Sequence, residues 1–365
     1  MKTQKGICIT GIDRFELRDD CVLPEPHEIV PTGAVIRPVI WSACTTDAEL
    51  AHSGCASFPY LLNKASGHEM CGIVETVGSE VTDFAVGDRV IVCATMPKWR
   101  SMLAQEGHAR QSSDNMYFGI EYPDRGGSFV EHYYIRDADM NLAKIPDNVT
   151  WEQAIMVPDM MQTAFAGVQS LDMRYGDSVA VLGIGPVGLM AICAARLQGA
   201  SQIYAVGGRK VCRDLAVEYG ATHVIDYHEG DIVEQILARS GGAKVDTVLC
   251  CGGPADQLNN GLKLLKAGGT LASVSVYYGG VPIRIDPESV GFGYSDKTIK
   301  FIQCDGGRSS MQRLIALVAE GRVRPEKMIT HRFYGMEQIE DAVNLFVRHE
   351  PSLIKPVIFN GKEAR

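Results

Sequence analysis

The sequence predicts an α/β protein in two parts, a strand-and-turn-rich first half followed by a doubly wound parallel sheet. Three observations carry this. From about residue 177, apolar strand-length runs alternate with helix-length runs, the rhythm of a parallel sheet covered on both faces. Gly183-Ile184-Gly185-Pro186-Val187-Gly188 stands between the first of these strands and the helix after it. Before residue 177, short runs rich in Val and Ile are separated by Gly, Pro and Asp. At roughly 150 residues per domain, 365 residues suit two domains, one interrupted by the other.

In chain order, strands are expected at 34–40, 72–77, 88–92 and 128–135. The stretch 96–124 is polar, weakly periodic and holds Trp99, Tyr117, Phe118 and Tyr122. A long irregular segment inside a compact domain usually carries function or is disordered. Next come strand 178–184, helix 187–197, strand 202–206 and helix 210–219, then strands at 222–226, 245–250 and 270–276 with helices at 231–238 and 256–265. Gly199, Gly220, Gly268 and Gly269 stand where helices stop. A helix at 310–320, a strand near 328–333, a helix at 336–346 and a strand at 355–359 complete the set.

A formal charge of −9 argues against a nucleic-acid partner, which needs a basic face. The opening MKTQKGICITGIDRF has no long apolar stretch and no cleavage site, so no secretory leader is expected. The longest uncharged run, 178–195, holds Gly183, Gly185, Pro186 and Gly188. It reads as strand, turn and helix rather than as a membrane span. Eleven cysteines form no CxxC pair and sit mostly in apolar segments, which suggests reduced thiols and a cytoplasmic protein.

The glycine run fits G-x-G-x-x-G in the right setting, strand before and helix after. Gly183 and Gly185 permit a tight turn and close approach of a pyrophosphate. Gly188 permits close packing of helix on strand, and the helix opening at Pro186 and Val187 turns its positive end to the phosphates. An NAD site carries an acid about 20 residues downstream. Here the second strand ends Val206-Gly207-Gly208-Arg209-Lys210, with no acid. A guanidinium can grip a 2′-phosphate with paired hydrogen bonds, so the cofactor is read as NADP(H), with Gly208 and Arg209 at the phosphate. Tyr227, at the end of the third strand, flanks either the adenine or the phosphate.

Cys44 and His68, from separate loops, are typical zinc donors. A third ligand is needed, and Asp159, an acid among apolar residues in Val157-Pro158-Asp159-Met160-Met161, is the best candidate. The competing role for Asp159 is a helix N-cap.

With these residues in place, the chain resembles the zinc-dependent medium-chain dehydrogenases, most closely their NADP-dependent secondary alcohol dehydrogenases from anaerobic microbes and protists. The shared pieces span nearly the whole chain: CTTD from Cys44, GHE at 67–69, VGDRVIV at 86–92, PKWRS at 97–101, DADMNLA at 137–143, DMMQTAF at 159–165, GIGPVGLM at 183–190, VGGRK at 206–210, YGATHVIDY at 219–227, DKTIK at 296–300 and GGR at 306–308.

The resemblance implies a GroES-like β-rich catalytic domain, 1–160 with 304–365, and a Rossmann domain, 161–303. It implies one catalytic zinc on Cys44, His68 and Asp159, since the four closely spaced cysteines of a structural zinc site are missing. Glu69 would lie beside the metal and can become a fourth ligand. Thr46 matches the hydroxyl residue that contacts the substrate oxygen and relays its proton. Near relatives have a histidine where this chain has Glu49, and His52 is the candidate substitute. Thr95, Tyr117, Ile120, Tyr277 and Cys304 match pocket positions; relatives carry tryptophan at the position of Ile120.

The implied activity is hydride transfer between NADP(H) and a small-molecule secondary alcohol or ketone, with aldehydes left open. The implied enzyme is a homotetramer with no membrane or nucleic-acid partner. The rivals are a polyol or amino-alcohol dehydrogenase using NAD, a non-catalytic nucleotide-binding relative, and a zinc-free quinone or enone reductase. The first needs an acid where Gly208 and Arg209 stand. The other two have no need of all three metal ligands.

Overall fold

The computed structural model describes residues 2–23, 30–112, 126–277 and 282–361. The chain forms two compact units, Met1–Gln162 with Asp305–Arg365, and Thr163–Cys304. Each expected boundary differs by one or two residues, and Cys304 falls in the second unit rather than in the catalytic part.

The first unit opens with an antiparallel hairpin, β1 (Lys2–Gly11) and β2 (Arg14–Leu23). The sequence reading placed no strand here, because the apolar run is only Ile7-Cys8-Ile9 and charged residues flank it. Those three residues are nonetheless buried. Then come β3 (Ala34–Ser42), β4 (Glu69–Val77), β5 (Arg89–Val92), β6 (Tyr133–Ile135) and β7 (Leu142–Lys144). All of β3 except Arg37 is buried, as its near-continuous apolar run requires. The strand expected at 128–135 keeps only its last three residues. Phe129 is instead bonded on both sides, its N–H to the Ser66 carbonyl and its carbonyl to the Ile7 N–H, both 2.9 Å.

The second unit is a six-stranded parallel sheet: β8 (Ser178–Leu182), β9 (Gln202–Val206), β10 (His223–Ile225), β11 (Val245–Cys250), β12 (Leu265–Ser273) and β13 (Thr298–Phe301). Their order is β10-β9-β8-β11-β12-β13. Winding thus runs outward one way from β8 and then the other way from β11, the doubly wound pattern with its switch point between those two strands. Helices Pro186–Gln198, Lys210–Tyr219, Ile232–Arg239 and Gln257–Leu264 connect the strands. Gly199 and Gly220 end the first two helices in the left-handed conformation, φ 92° and 113°. Gly268 and Gly269 do not stop a helix. They lie within β12, which begins five residues before the expected start, and the register against β11 shifts between Val245 and Thr247.

The chain then returns to the first unit through helix Arg308–Ala319, β14 (Ile329–Tyr334), helix Ile339–Val347 and β15 (Lys355–Phe359). Every residue of β15 is buried. It inserts antiparallel beside β3, giving the order β14-β15-β3-β4-β5-β7 with β6 also paired to β3. Among the described residues no helix is long and apolar enough to cross a membrane.

Candidate functional site

Strand register builds a donor cluster at one end of the first unit's sheet. Ser42, the last residue of β3, pairs with Glu69, the first of β4. Cys44 lies two residues beyond Ser42, and His68 lies one before Glu69, so both leave the sheet at the same end. β15 runs antiparallel to β3 with Val357 opposite Ser42, which brings Lys355 to that end as well. On the other side Met70 pairs with Val92 of β5, so Thr95 follows just past the strand end, where it is buried.

Asp159 reaches the cluster from Val157–Met161, a single wide π-helical turn. Pro158 has no N–H to give a tighter ladder, and the Met161 N–H reaches back five residues to the Met156 carbonyl, 3.3 Å. Such turns often mark functional sites. Asp159 is inside this turn, so it is not a helix N-cap. One donor atom from each of Cys44, His68, Glu69 and Asp159 lies within 4.8 Å of all the others. His68 Nε2 is 3.4 Å from Asp159 and 3.8 Å from Glu69. A thiol, an imidazole and two carboxylates, largely removed from water, form a donor set suited to zinc.

Two supporting residues escaped the sequence reading. Asp47 is buried at the third position of helix Thr45–His52. One of its oxygens accepts the Cys44 N–H, 2.9 Å, and the other is 3.4 Å from His68 Nδ1. It therefore orients two donors at once, as carboxylates behind metal-ligating histidines do. Its signal was its spacing, three residues after Cys44, where an acid closes a helix N-terminus. Lys355 is 2 % exposed; its ammonium donates to the Ala43 carbonyl, 3.0 Å, and lies 2.7 and 2.8 Å from the Glu69 oxygens. Its signal was a lone charge in the apolar run Leu353-Ile354-Lys355-Pro356-Val357.

Burial pushes Glu69 up to about 7, against the opposing pull of Lys355. Burial alone would lower His68, yet the Asp47 and Asp159 carboxylates hold it well above the usual imidazole value. The cluster therefore attracts positive charge strongly.

Thr46 is the second residue of the helix after Cys44, its hydroxyl 3.6 Å from the Cys44 sulfur. His52, at the other end of this helix, is not among the clustered donors. Its side chain is 77 % exposed and its Nδ1 lies 3.1 Å from both oxygens of Asp13.

In the second unit Gly183 adopts φ 94°, and a side chain on Gly188 would run into the Gly183 carbonyl. Gly185 caps a helix whose first residues are Pro186 and Val187. The space over Gly185 is open; the nearest atom to a Cβ there would be Arg209 Nη2, 3.8 Å away. The Arg209 guanidinium therefore reaches from the end of β9 back over the glycine loop. A Cβ on Gly208 would overlap Tyr227 and His228. The Tyr227 ring is half-exposed and lies 4.3 Å from that of His228.

Of the expected pocket residues, Tyr277 bonds through its hydroxyl to Ser273, 2.9 Å, and packs edge-on against Phe301, while Cys304 is buried. Tyr117 and Ile120 lie outside the described residues.

Residues 30–147 match the alcohol dehydrogenase GroES-like domain, and residues 186–320 match the zinc-binding dehydrogenase family. The chain is 43 % identical to an NADP-dependent isopropanol dehydrogenase of Thermoanaerobacter brockii over 90 % of this chain and 93 % of that one. It is 39 % identical to the enzyme of the same name from Clostridium beijerinckii, over 97 % and 99 %. A putative zinc-binding dehydrogenase from Sinorhizobium meliloti, solved bound to NADP, superposes with TM-score 0.82 at 26 % identity, covering 99 % of this chain and all of that one.

Proposed function

As the chain belongs to the zinc-binding dehydrogenases, we propose that it transfers a hydride between NADP(H) and a secondary alcohol or the matching ketone, with one zinc ion held by Cys44, His68 and Asp159. The observation that carries this reading is the convergence of a thiol, an imidazole and carboxylates within 4.8 Å. Zinc bound there supplies a Lewis acid that lowers the pKa of an alcohol hydroxyl.

The chain's own groups do the rest. Asp47 fixes the His68 ring and the Cys44 backbone. Lys355 holds Glu69 beside the ion without letting its charge stand alone. The Thr46 hydroxyl accepts a hydrogen bond from the substrate hydroxyl and relays its proton, releasing its own toward solvent as it does so. The Gly183–Gly188 loop and the helix behind it hold the pyrophosphate, and Arg209 grips the 2′-phosphate where an NAD enzyme would place an acid.

The protein is further read as a cytoplasmic homotetramer. In support, β13 is an edge strand with Phe301 57 % exposed, a surface that favours pairing. The free thiols packed in both cores suit a reducing compartment. Sedimentation analysis would give the number of subunits.

The test of function is NADPH oxidation with 2-butanone, before and after chelation, with NADH for comparison. Turnover that favours NADPH and stops on chelation is expected. A preference for NADH would overturn the cofactor reading. Inactive protein that still contains zinc would overturn the small-ketone reading.

A further inference from the structure

At the third strand's end an acid lies beside Gly208 and the residues that follow it. Asp226 follows β10 directly, and an unopposed carboxylate there would repel a 2′-phosphate. It is not unopposed. One oxygen is paired with the Arg213 guanidinium. The other accepts the His228 N–H, 3.0 Å, and lies 2.7 Å from His228 Nδ1. Asp226 thus sits between the Arg213 guanidinium and the His228 ring, and its own pKa is held below the usual carboxylate range by the His228 amide and ring and by Arg213.

This network aims the His228 ring. With Nδ1 held by Asp226, the Cε1 edge lies over Gly208, close enough that any Cβ there would collide with it. The side chain is 64 % exposed, so a ligand can reach it. Tyr227 flanks it, Arg209 and Lys210 follow Gly208, Lys210 being paired with Asp214, and Glu229 follows His228 in the chain.

We propose that His228 is a second phosphate contact, its Nε2 donating to the 2′-phosphate of NADP(H) alongside Arg209, with Asp226 fixing the ring and Arg213 cancelling Asp226. This rests on the NADP(H) reading above. In this arrangement Nδ1 donates to Asp226 and Nε2 to the phosphate, so the bound ring is the imidazolium form that a neighbouring phosphate favours. The phosphate therefore meets two cationic side chains, and a charge-assisted bond of this kind discriminates between cofactors that do and do not carry the group. The adenine, common to both cofactors, could gain nothing selective from it.

The experiment measures dissociation constants of NADPH and NADH for the wild type, His228→Asn and His228→Lys, with adenosine 2′,5′-bisphosphate and adenosine 5′-monophosphate as fragments. His228→Asn should weaken NADPH and the bisphosphate about tenfold and leave NADH and the monophosphate unchanged. His228→Lys should restore most of the loss. Equal losses for both cofactors would show a ring that stacks on adenine or only supports the loop, and would overturn the proposal. So would an unchanged NADPH constant. A wild type that prefers NADH would instead sink the cofactor reading, which separates the two failures.

Discussion

The glycine loop occupies six consecutive positions, 183–188, whereas the donor cluster is gathered from distant stretches, with Lys355 bonding to an oxygen 312 residues earlier in the chain. The loop's chemistry comes from backbone groups and the absence of side chains; Gly188 and Gly208 are there because nothing larger fits. The cluster's chemistry comes from side chains whose proximity depends on the register of β15, β3 and β4. A local site fails by losing one contact. A convergent site fails by losing the charge balance that lets four ionisable groups share a small dry volume.

That contrast orders what substitution should do. Lys355→Met leaves Glu69 buried beside other acids without its cation, so metal-free protein should lose about 3–5 kcal/mol of stability, read as a lower urea midpoint. A loss below about 1 kcal/mol would show that Glu69 simply takes up a proton.

Thr46→Val should keep zinc and NADPH binding but lower turnover roughly a hundredfold, about 2.7 kcal/mol of barrier. Unchanged turnover removes Thr46 from the proton path. His52→Gln, by contrast, should leave the pH profile of turnover where it was.

At the loop, Gly208→Asp should weaken NADPH binding about tenfold without creating good NADH binding, because the new Cβ must first displace Tyr227 and His228. A clean switch to NADH, measured from cofactor constants, would show that this corner yields more easily than its packing implies.

The smallest effect concerns acid. Burial raises Asp139, but the Thr82 and Asp83 amides and the Thr82 hydroxyl more than offset this and hold its carboxyl below the usual value. A depressed folded-state pKa adds stability that is present above the unfolded value, roughly pH 4, and lost as pH falls through the folded one. Asp139→Asn should therefore flatten the acid limb of the stability curve by under about 1 kcal/mol. An unchanged limb would assign the acid sensitivity elsewhere.

What the sequence disclosed follows the same division. The alternation after residue 177, the glycine loop and Arg209 were legible because neighbours in the chain are neighbours in space. Cys44, His68 and Asp159 were legible by residue type and by resemblance, although the π turn that presents Asp159 was not. Asp47 and Lys355 stayed hidden because each looks ordinary in its own segment, a helix-start acid and a strand-end lysine. Only the pairing of Ser42 with Glu69 and Val357 gives them meaning. His52 stands differently from these. It lay near in sequence, but it occupies the far end of an eight-residue helix, paired with Asp13. The opening hairpin was missed because its apolar run, Ile7-Cys8-Ile9, is too short to set a period and its other buried residues are scattered among polar ones.

The insertion of β15 beside β3 also has a consequence for the order of assembly. The second unit is one unbroken stretch, so it can begin to fold while later residues are still being synthesised. The first unit's sheet cannot close until β15 arrives, and contacts across so long a separation form slowly. Refolding from denaturant should therefore restore nucleotide binding before it restores tight retention of zinc, and a chain stalled before residue 355 would carry the cofactor loop without a finished metal pocket.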